Sequence, residues 1–305
     1  DTAYETAISL NKSGVIVNSV IDIRDKTNSL IVKQVENLGI KIHWKHTVVN
    51  TSGYKRINSI EIMKLTDDGN GVVGKKFKEE CDCLGISGGW TPRVHLFTQS
   101  GGKLKFRDED NVFIPDKSDL EQISIGACNG DFELDEIINN SVERVNKFLN
   151  INNNDFKNLD IICSKELHKK NIWLLPSDKI LGKTKPFLDF QNDSTAKDIK
   201  LALREGFKSI EHVKRYTTTG MGTDQGKLSN MHALGIVAET AGVKMGDLGT
   251  TTFRPPYTPL TFGAIVGRNV GKFFDITRKT PIHDWHTQHK AEFENVGQWK
   301  RAWYY

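Results

Sequence analysis

Residues 187–254 read FLDFQNDSTAKDIKLALREGFKSIEHVKRYTTTGMGTDQGKLSNMHALGIVAETAGVKMGDLGTTTFR, and the rest of the chain is organised around this stretch. Its apolar residues recur at helical spacing, and glycine-bearing turns separate the periodic segments. The apolar faces of three predicted short helices consist of Ile199 and Leu203, of Ile210 and Val213, and of Met231, Leu234, Val237 and Ala238. The stretch therefore predicts a small helical domain.

A glycine-rich loop lies between the second and third predicted helices. It reads TTTGMG over residues 217–222, and Gly226 follows. Unpaired backbone N–H groups at the start of the next helix could bind a phosphate or another anion there. A tight turn explains the same residues, and short glycine motifs recur by chance. From the loop alone, the turn is the favoured interpretation.

The same block resembles the small [2Fe–2S] domains of bacterioferritin-associated ferredoxin and of many multidomain flavoenzymes. Those domains carry two pairs of cysteines, one before the first helix and one around the loop. In this sequence the corresponding positions are occupied by Asp189, Gln191, Asp224 and Ser229. Because iron–sulfur ligation requires cysteine thiolates, we expect a cluster-less domain that folds without an iron–sulfur cluster.

Several further segments carry a more specific resemblance. They are SGGWTPRVHLFTQSGGKL (residues 87–104), the block at 187–229, TTTFRPPYTP (residues 250–259), and TPIHDWH with GQWKRAWYY (residues 280–286 and 297–305). With these segments, the chain resembles the alpha subunits of heterotetrameric sarcosine oxidases from its first residues to its last. The resemblance also implies an internal fragment of a longer subunit, truncated at both ends.

The amino-acid composition limits the classes of protein to which the chain can belong. The 305 residues carry 42 basic and 38 acidic side chains, a formal net charge of +4, and no polybasic run. This near balance argues against a nucleic-acid partner. No apolar run has the length of a membrane span and no signal peptide is evident, so we expect no membrane association.

The cysteines and histidines of the sequence show neither a disulfide framework nor a metal-ligand pattern. The cysteines Cys81, Cys83, Cys128 and Cys163 are too few and too irregular for a disulfide framework, which fits a reducing, cytoplasmic setting. Neither the Cys81–Cys83 pair nor the group at 283–286 has a recurrent zinc-ligand spacing. We therefore predict no metal site.

The N-terminal part of the sequence alternates strands and helices, which favours an α/β layer. The β-branched run at 15–24 predicts a buried parallel strand, and a helix at 30–38 and a strand at 40–44 follow. Asp22 stands near the end of the first strand. In dinucleotide-binding βαβ units, an acidic residue at the end of the second strand accepts hydrogen bonds from the adenosine ribose. A strand-end turn residue is the alternative for Asp22, and we expect Arg24 to be solvated.

More strands follow along the chain. An antiparallel pair is predicted at 59–65 and 72–77, joined by a turn-rich loop, and a further strand at 84–90. A short strand at 123–126 runs into a glycine turn and then a helix at 134–148. The resemblance implies that this turn faces a bound dinucleotide, NAD or FAD, through Gly126, Asn129 and Gly130. An ordinary turn between a strand and a helix is the alternative.

Thr250, Thr251 and Arg254 are the third group of candidate binding residues. Hydroxyls and a guanidinium beside a proline-stiffened segment suit hydrogen bonds to phosphate and to ring edges. The resemblance implies an FMN buried near the interface with a beta subunit, and it makes these residues its candidate contacts. The alternative is an extended connector whose threonines favour strand geometry.

The predicted fold class is α/β, with part of a Rossmann-like FAD/NAD(P)-binding domain followed by the small cluster-less helical domain. The predicted boundaries are an NAD(P)-binding insert without its first strand at 1–84, a return to the FAD/NAD-binding domain at 85–150, a linker at 151–180, the helical domain at 181–258, and a connector with the start of a T-protein-like aminomethyltransferase domain at 259–305. The resemblance implies tetrahydrofolate binding in that last domain, in a part that would follow this sequence.

The resemblance implies a function within a complex with beta, gamma and delta subunits. Such a complex oxidises a small-molecule substrate, sarcosine, to glycine at an FAD in the beta subunit. Electrons pass to FMN and then to oxygen, which yields hydrogen peroxide, and the methyl carbon reaches tetrahydrofolate. The flavins supply the redox chemistry and the protein supplies positioning. No nucleophile or general base stands out in this sequence, so it predicts binding residues and no catalytic residue.

Two alternatives stay open. The chain could belong to a related complex that dehydrogenates another amine or proline. It could also be a non-catalytic interaction module that has lost its cofactor. A basic helix face gives the second alternative some support, although a charge run is usually a solvated surface. That face consists of Lys208, His212, Lys214 and Arg215.

Overall fold

The computed structural model describes residues 1–151, 171–268, 270–271 and 275–305. These residues form two compact units, Asp1–Tyr257 and Thr258–Tyr305. Most of the predicted linker at 151–180 lies outside the described residues, and so does Cys163.

The first unit opens with the predicted alternation of helices and strands. In order these elements are α1 (Thr2–Lys12), β1 (Ser19–Asp22), α2 (Leu30–Asn37) and β2 (Lys41–Trp44). β1 and β2 pair in parallel. Tyr4 from α1 and Val32 and Val35 from α2 share a buried apolar core with this strand pair. This packing of helices on parallel strands confirms the α/β prediction for this part of the chain.

The strand predicted at 15–24 was too long. β1 has four residues, because β2 offers only Lys41 to Trp44 as pairing partners. Ile16, which precedes β1, is 88% exposed. The β-branched run therefore continues beyond the length that the neighbouring strand can pair.

An antiparallel sheet follows, with β4 between β3 and β5. Its strands are β3 (His46–Gly53), β4 (Ile57–Leu65) and β5 (Val72–Glu80). β4 and β5 confirm the predicted hairpin, and the Thr66 hydroxyl accepts a 3.0 Å hydrogen bond from the Gly71 amide inside its turn. β3 was not predicted. Thr47 and Val49 alternate into its buried face, but its second half is polar and exposed.

Two predicted strands of the middle segment are absent. Residues 84–90 and 123–126 contain no strand, and Ile86 and Trp90 are exposed. A strand needs a neighbour to pair its backbone groups, and the described residues provide none for these segments. The elements that do form are α3 (His95–Gln99), a hairpin of β6 (Lys103–Arg107) and β7 (Val112–Lys117), a 3₁₀ turn at Gly126–Asn129, and α4 (Leu134–Leu149).

The predicted helices of the third segment are confirmed. The elements are β8 (Phe187–Asp189), β9 (Ser194–Thr195), α5 (Ala196–Arg204), α6 (Ile210–Thr217), α7 (Asn230–Ala241) and α8 (Met245–Leu248). α5 begins with a capping box, in which the Thr195 hydroxyl accepts from the Asp198 amide and the Asp198 carboxylate accepts from the Thr195 amide. Ile199, Val213 and Val237 are fully buried in one apolar cluster. Helical spacing thus located the core of this domain.

The second unit holds a short sheet with two small helices. Its elements are α9 (Phe262–Val266), β10 (Arg278–Lys279), α10 (His283–Gln288), β11 (Glu292–Val296) and β12 (Trp299–Tyr304). β12 lies between β10, with which it is parallel, and β11, with which it is antiparallel. On α10, Trp285 stacks on His289 with ring centroids 3.9 Å apart.

The described residues contain neither a candidate membrane span nor a cluster of potential metal ligands. None of the helices in this part of the chain combines the length and the apolar character needed to cross a bilayer. Within the same residues, no group of three or more His, Cys, Asp or Glu side chains is arranged to hold a metal ion.

Candidate functional site

Asp22 lies at the carboxyl end of β1 and is buried. Its carboxylate accepts a 2.6 Å hydrogen bond from the Tyr4 hydroxyl. Arg24 donates from its backbone amide at 2.8 Å, from Nε to both oxygens at 3.1 Å, and from Nη2 at 2.8 Å. Both oxygens of the Asp22 carboxylate therefore already accept hydrogen bonds from groups of the protein itself.

The expectation of a solvated Arg24 was wrong. Its guanidinium packs over the Tyr4 ring at 5.9 Å and pairs with Asp1 as well as with Asp22. Burial alone would raise the pKa of Asp22, but the hydrogen bonds from Arg24 and Tyr4 outweigh it and hold that pKa below its usual value. The role of Asp22 in ribose binding stays a prediction.

We expect Arg24→Met to lower the free energy of unfolding at pH 7 by about 2–3 kcal/mol, because it leaves a buried carboxylate without its charged donor. The lowered pKa means that ionised Asp22 stabilises the wild type above the unfolded pKa of about 4, and that this contribution is lost as pH falls through the folded pKa. Urea titrations of both proteins between pH 3 and pH 7 should therefore show a difference that shrinks on acidification.

Lys26→Met is the matched control. Lys26 lies on the surface, and its 4.0 Å pair with Glu36 is exposed, so this variant should change stability by less than about 0.5 kcal/mol. An Arg24→Met protein as stable as the control at pH 7 would show that the pair contributes nothing.

The turn at 126–130 is a 3₁₀ turn, and no strand enters it. Gly130 has φ 86°, and a Cβ there would lie 2.7 Å from Nη2 of Arg107, which donates to the Gly130 carbonyl at 2.7 Å. The Asn129 amide donates to the Asp131 carboxylate at 3.3 Å. The glycine is thus required by local packing and Asn129 already has an internal partner. The contact of Gly126, Asn129 and Gly130 with a dinucleotide stays a prediction.

The segment with Thr250, Thr251 and Arg254 is held by side chains of neighbouring helices. Thr251 is buried, and its hydroxyl accepts a 3.1 Å hydrogen bond from the Asn230 amide. Lys214 and Glu211 of α6 bind the main chain of Thr252: Nζ of Lys214 donates to its carbonyl at 2.8 Å, and the Glu211 carboxylate accepts from its amide. Burial lowers the pKa of Lys214. These bonds hold the segment two and three residues before Arg254.

The backbone at Arg254 is held by a hydrogen bond from its own amide and by the buried side chain of the preceding residue. Its amide donates to the Gln225 side chain at 2.9 Å. The preceding residue, Phe253, is buried with its ring 3.9 Å from the ring of His95, centroid to centroid. The Arg254 residue is exposed, and no described carboxylate lies within ion-pair distance of its guanidinium. The backbone is ordered while the charge stays available to a ligand.

Sequence reasoning missed His95, which contacts this segment from α3. Its Nε2 lies 3.2 Å from the Gln225 carbonyl, and its buried Nδ1 has no hydrogen-bond partner in the described chain. The histidine stands inside the quoted stretch at 87–104, so the motif was the available signal. No hydrogen bond among the described residues joins Asp22 or the 126–130 turn to this segment.

Asp189, the first of the residues at cysteine positions, links the two loops of the helical domain. It is 2% exposed. One oxygen accepts from the amides of Gln191 and Asn192 at 2.9 and 3.1 Å, and the other accepts from the Gly220 amide at 2.7 Å and from the Asn192 side chain at 3.4 Å. The Gly220 amide in the glycine loop therefore already donates its hydrogen bond to the Asp189 carboxylate. This favours the tight-turn interpretation over a phosphate site.

Two of the other residues at cysteine positions, Gln191 and Asp224, also bond within the loops, whereas the buried Ser229 hydroxyl has no partner among the described residues. The Gln191 side chain donates to the Thr223 hydroxyl at 3.1 Å and accepts from the Asp224 amide at 3.3 Å. The Asp224 carboxylate accepts from the Gly226 and Leu228 amides at 3.1 and 3.3 Å. Ser229 is buried. Hydrogen bonds thus connect the segments that thiolates would join in a cluster domain.

The fold of the chain resembles that of a known oxidoreductase. Over 84% of this chain and 51% of the other, it matches the crystal structure of L-proline dehydrogenase from P. horikoshii, with a TM-score of 0.57 and 17% sequence identity. At this identity the likeness establishes the fold alone, an α/β fold shared with that dehydrogenase.

Proteins with similar sequences indicate a more specific class of protein than the fold does. The sarcosine oxidase subunit alpha of Corynebacterium sp. (strain P-1) is 33% identical over 100% of this chain and 32% of its own length. That of Rhizobium meliloti (strain 1021) is 34% identical over 99% of this chain and 29% of its own length. Residues 183–268 match the model of the sarcosine oxidase A3 domain. The chain is related along its whole length to the alpha subunits of sarcosine oxidase, and it spans about a third of the length of these curated relatives.

Proposed function

We propose that this chain is part of a flavin-dependent sarcosine oxidase complex, in the role of an alpha subunit. The observation that carries the proposal is the similarity to sarcosine oxidase alpha subunits along the whole chain. In such a complex sarcosine gives two electrons to a flavin and becomes glycine after loss of its methyl carbon. Oxygen takes the electrons and forms hydrogen peroxide, and tetrahydrofolate takes the one-carbon unit.

The proposed domain roles follow the predicted boundaries. Residues 1–84 and 85–150 contribute to a Rossmann-like dinucleotide-binding region, and the A3 match at 183–268 overlaps the predicted helical domain at 181–258. Residues 259–305 begin the folate-binding domain. The beta, gamma and delta subunits are the proposed partners, with the beta subunit bearing the FAD that sarcosine reduces.

The fit of a dinucleotide at Asp22 is poor in the present arrangement. A carboxylate has about four lone-pair sites, and Tyr4 and Arg24 already donate to both oxygens. A ribose hydroxyl could bind only if one of these donors moved away. A nucleotide at Asp22 is therefore not part of the proposed function. The turn with Gly126, Asn129 and Gly130 remains the proposed contact with the NAD or FAD.

An FMN fits better beside Arg254, whose side chain is exposed, than beside Thr251, which is buried with its hydroxyl bound by Asn230. Thr250 remains a proposed contact as well. When bound there, the flavin would accept electrons from the FAD and pass them to oxygen. The chain's part is to hold Arg254 with a free guanidinium against an anionic group of the flavin, on a backbone fixed by Gln225 and α6. Guanidinium groups bind phosphate through paired N–H donors. Preorganisation reduces the ordering that ligand binding requires.

The proposal is tested on the complex made by co-expressing this subunit in full with its beta, gamma and delta partners. We expect flavin absorbance in the purified complex and its bleaching by sarcosine under anaerobic conditions. Preparations without the alpha subunit are the control, and they should lose the FMN share of the absorbance. Proline and other secondary amines, added in parallel, identify the alternative substrates. A colourless complex that still assembles would instead support the non-catalytic interaction module.

A further inference from the structure

Two cysteines follow the last strand of the antiparallel sheet. β5 ends at Glu80, and Cys81 and Cys83 come directly after it, with Asp82 between them. Both thiols are free; Cys81 is partly buried and Cys83 is exposed. Within the described residues, no third His, Cys, Asp or Glu completes a metal-ligand group with them. Their shared chemistry is therefore that of a dithiol.

The backbone at this pair suits a bond between the two sulfurs. Cα atoms two residues apart are separated by at most about 7 Å in a fully extended chain. The chain bends at Asp82, which shortens that span, and disulfides join Cα atoms about 4.4–6.8 Å apart. The Cys81 amide donates to the Asn58 carbonyl at 3.2 Å, so Cys81 is anchored to the end of the sheet. Residues 83–94 belong to no helix or strand, so a rotation at Cys83 disrupts no regular structure.

The two thiols differ in access and in surroundings. Burial raises the pKa of the Cys81 thiol, and the negative charges of Glu79, Asp82 and Cys83 raise it further. Because the thiolate is the nucleophile, Cys81 reacts slowly with an oxidant from solvent. Cys83 is exposed and meets such an oxidant first. An accessible cysteine beside a second thiol is the arrangement of redox-responsive pairs.

We propose that Cys81 and Cys83 form a modification site, which hydrogen peroxide converts to an intramolecular disulfide. Cys83 is the thiol that peroxide oxidises, and Cys81 is the thiol that resolves the oxidised sulfur. The site goes beyond the proposed function, although an amine oxidase that reduces oxygen would itself release this oxidant. Because both thiols lie on one short segment, the bridge needs neither a second chain nor the movement of a helix.

The reaction has two steps. The Cys83 thiolate attacks one oxygen of the peroxide; an S–O bond forms, the O–O bond breaks, and hydroxide leaves. That hydroxide takes the proton of the Cys81 thiol and becomes water. The Cys81 sulfur then attacks the sulfenic sulfur of Cys83; the S–S bond forms, the S–O bond breaks, and the second hydroxide takes up the proton that Cys83 had released. The two thiols lose two electrons, and the peroxide is reduced to two molecules of water.

The test uses the full chain of 305 residues, first reduced and then exposed to a small excess of hydrogen peroxide. Trypsin cleaves after Lys78 and Arg93, so one peptide carries both cysteines, and Cys128 lies on a separate peptide. We expect the 79–93 peptide to lose two hydrogen atoms and its reactivity with iodoacetamide, and to regain both after treatment with dithiothreitol. The Cys128 peptide is the internal control and should show no such loss, because it contains no second thiol.

Two variants separate the roles of the thiols. Cys81→Ser should leave Cys83 as a sulfenic acid, which dimedone traps at a yield at least about tenfold above that of the wild type, because no neighbouring thiol competes for it. Cys83→Ser should leave Cys81 as a thiol over the same exposure. Cys128→Ser is the matched control and should form the disulfide as the wild type does.

Three results would overturn the assignment. They are dimers bridged through Cys83, a sulfinic acid at Cys83 of the wild type in place of the disulfide, and equal dimedone labelling of the wild type and Cys81→Ser. Because the peroxide is added and no amine is oxidised in this experiment, such a result leaves the proposed amine oxidation standing.

Discussion

Asp189→Ala should destabilise the helical domain by about 3–5 kcal/mol. The change removes a buried carboxylate that accepts hydrogen bonds from the amides of Gln191, Asn192 and Gly220. The Gly220 amide is buried and is left without an acceptor after truncation, whereas Gln191 and Asn192 are exposed and water can replace part of their bonds. Hydrogen bonds to charged groups contribute about 1.5–3 kcal/mol each, without adding fully. Chemical denaturation followed by circular dichroism at helix wavelengths measures the loss.

Two variants make this result specific. Glu239→Ala, at an exposed position of α7, should change stability by less than about 0.5 kcal/mol. Asp189→Asn keeps one acceptor oxygen and should lie between the wild type and Asp189→Ala. A loss below 1 kcal/mol for Asp189→Ala would mean that the carboxylate does not hold the two loops together. Stoichiometric iron and labile sulfide in the wild-type protein would contradict the expectation of a cluster-less domain.

Arg254→Ala should slow electron transfer from FAD to FMN in the intact complex, or deplete its FMN. The lost charge-assisted contact corresponds to about 1.5–3 kcal/mol, or roughly a tenfold to hundredfold effect on FMN affinity. Sarcosine should still reduce the FAD at its normal rate, because Arg254 is proposed to contact only the second flavin. Rapid-mixing spectroscopy follows the two flavins separately.

Arg215→Ala is the matched control for this variant, since Arg215 is exposed on the neighbouring α6. It should leave FMN content and both electron-transfer steps unchanged. If Arg254→Ala behaves in the same way as this control, Arg254 is a connector residue and the flavin contact is ruled out.

The sequence predicted the elements whose pattern is local. The helices α5, α6 and α7 follow from apolar residues such as Ile199, Val213 and Leu234, which recur at the helical period and share one core. The turn of β4 and β5 follows from its Asp, Gly and Asn residues. In both cases the residues that decide the structure are neighbours in the chain.

Other features depend on distant partners and could not be predicted. The apolar residues Leu84, Ile86 and Trp90 suggested a strand at 84–90, yet three of its seven residues are glycines and the described chain supplies no strand beside them. The ion pair of Arg24 with Asp1, and the Tyr4 hydroxyl on Asp22, require α1 to lie beside β1. The contact between the His95 and Phe253 rings joins residues far apart in sequence. Tertiary packing decides each of these, and a local window contains none of the partners.

The bonds from Glu211 and Lys214 reach residue 252 through its main chain, while the Thr252 side chain is exposed. Position 252 can therefore accept almost any residue that keeps an amide hydrogen, so proline is the main exception. The amino acid at position 252 therefore has little influence on where the segment lies. Glu211 and Lys214 of α6 hold the segment instead, so sequence drift can change Thr252 without removing these bonds, whereas a change at position 211 or 214 removes one of them.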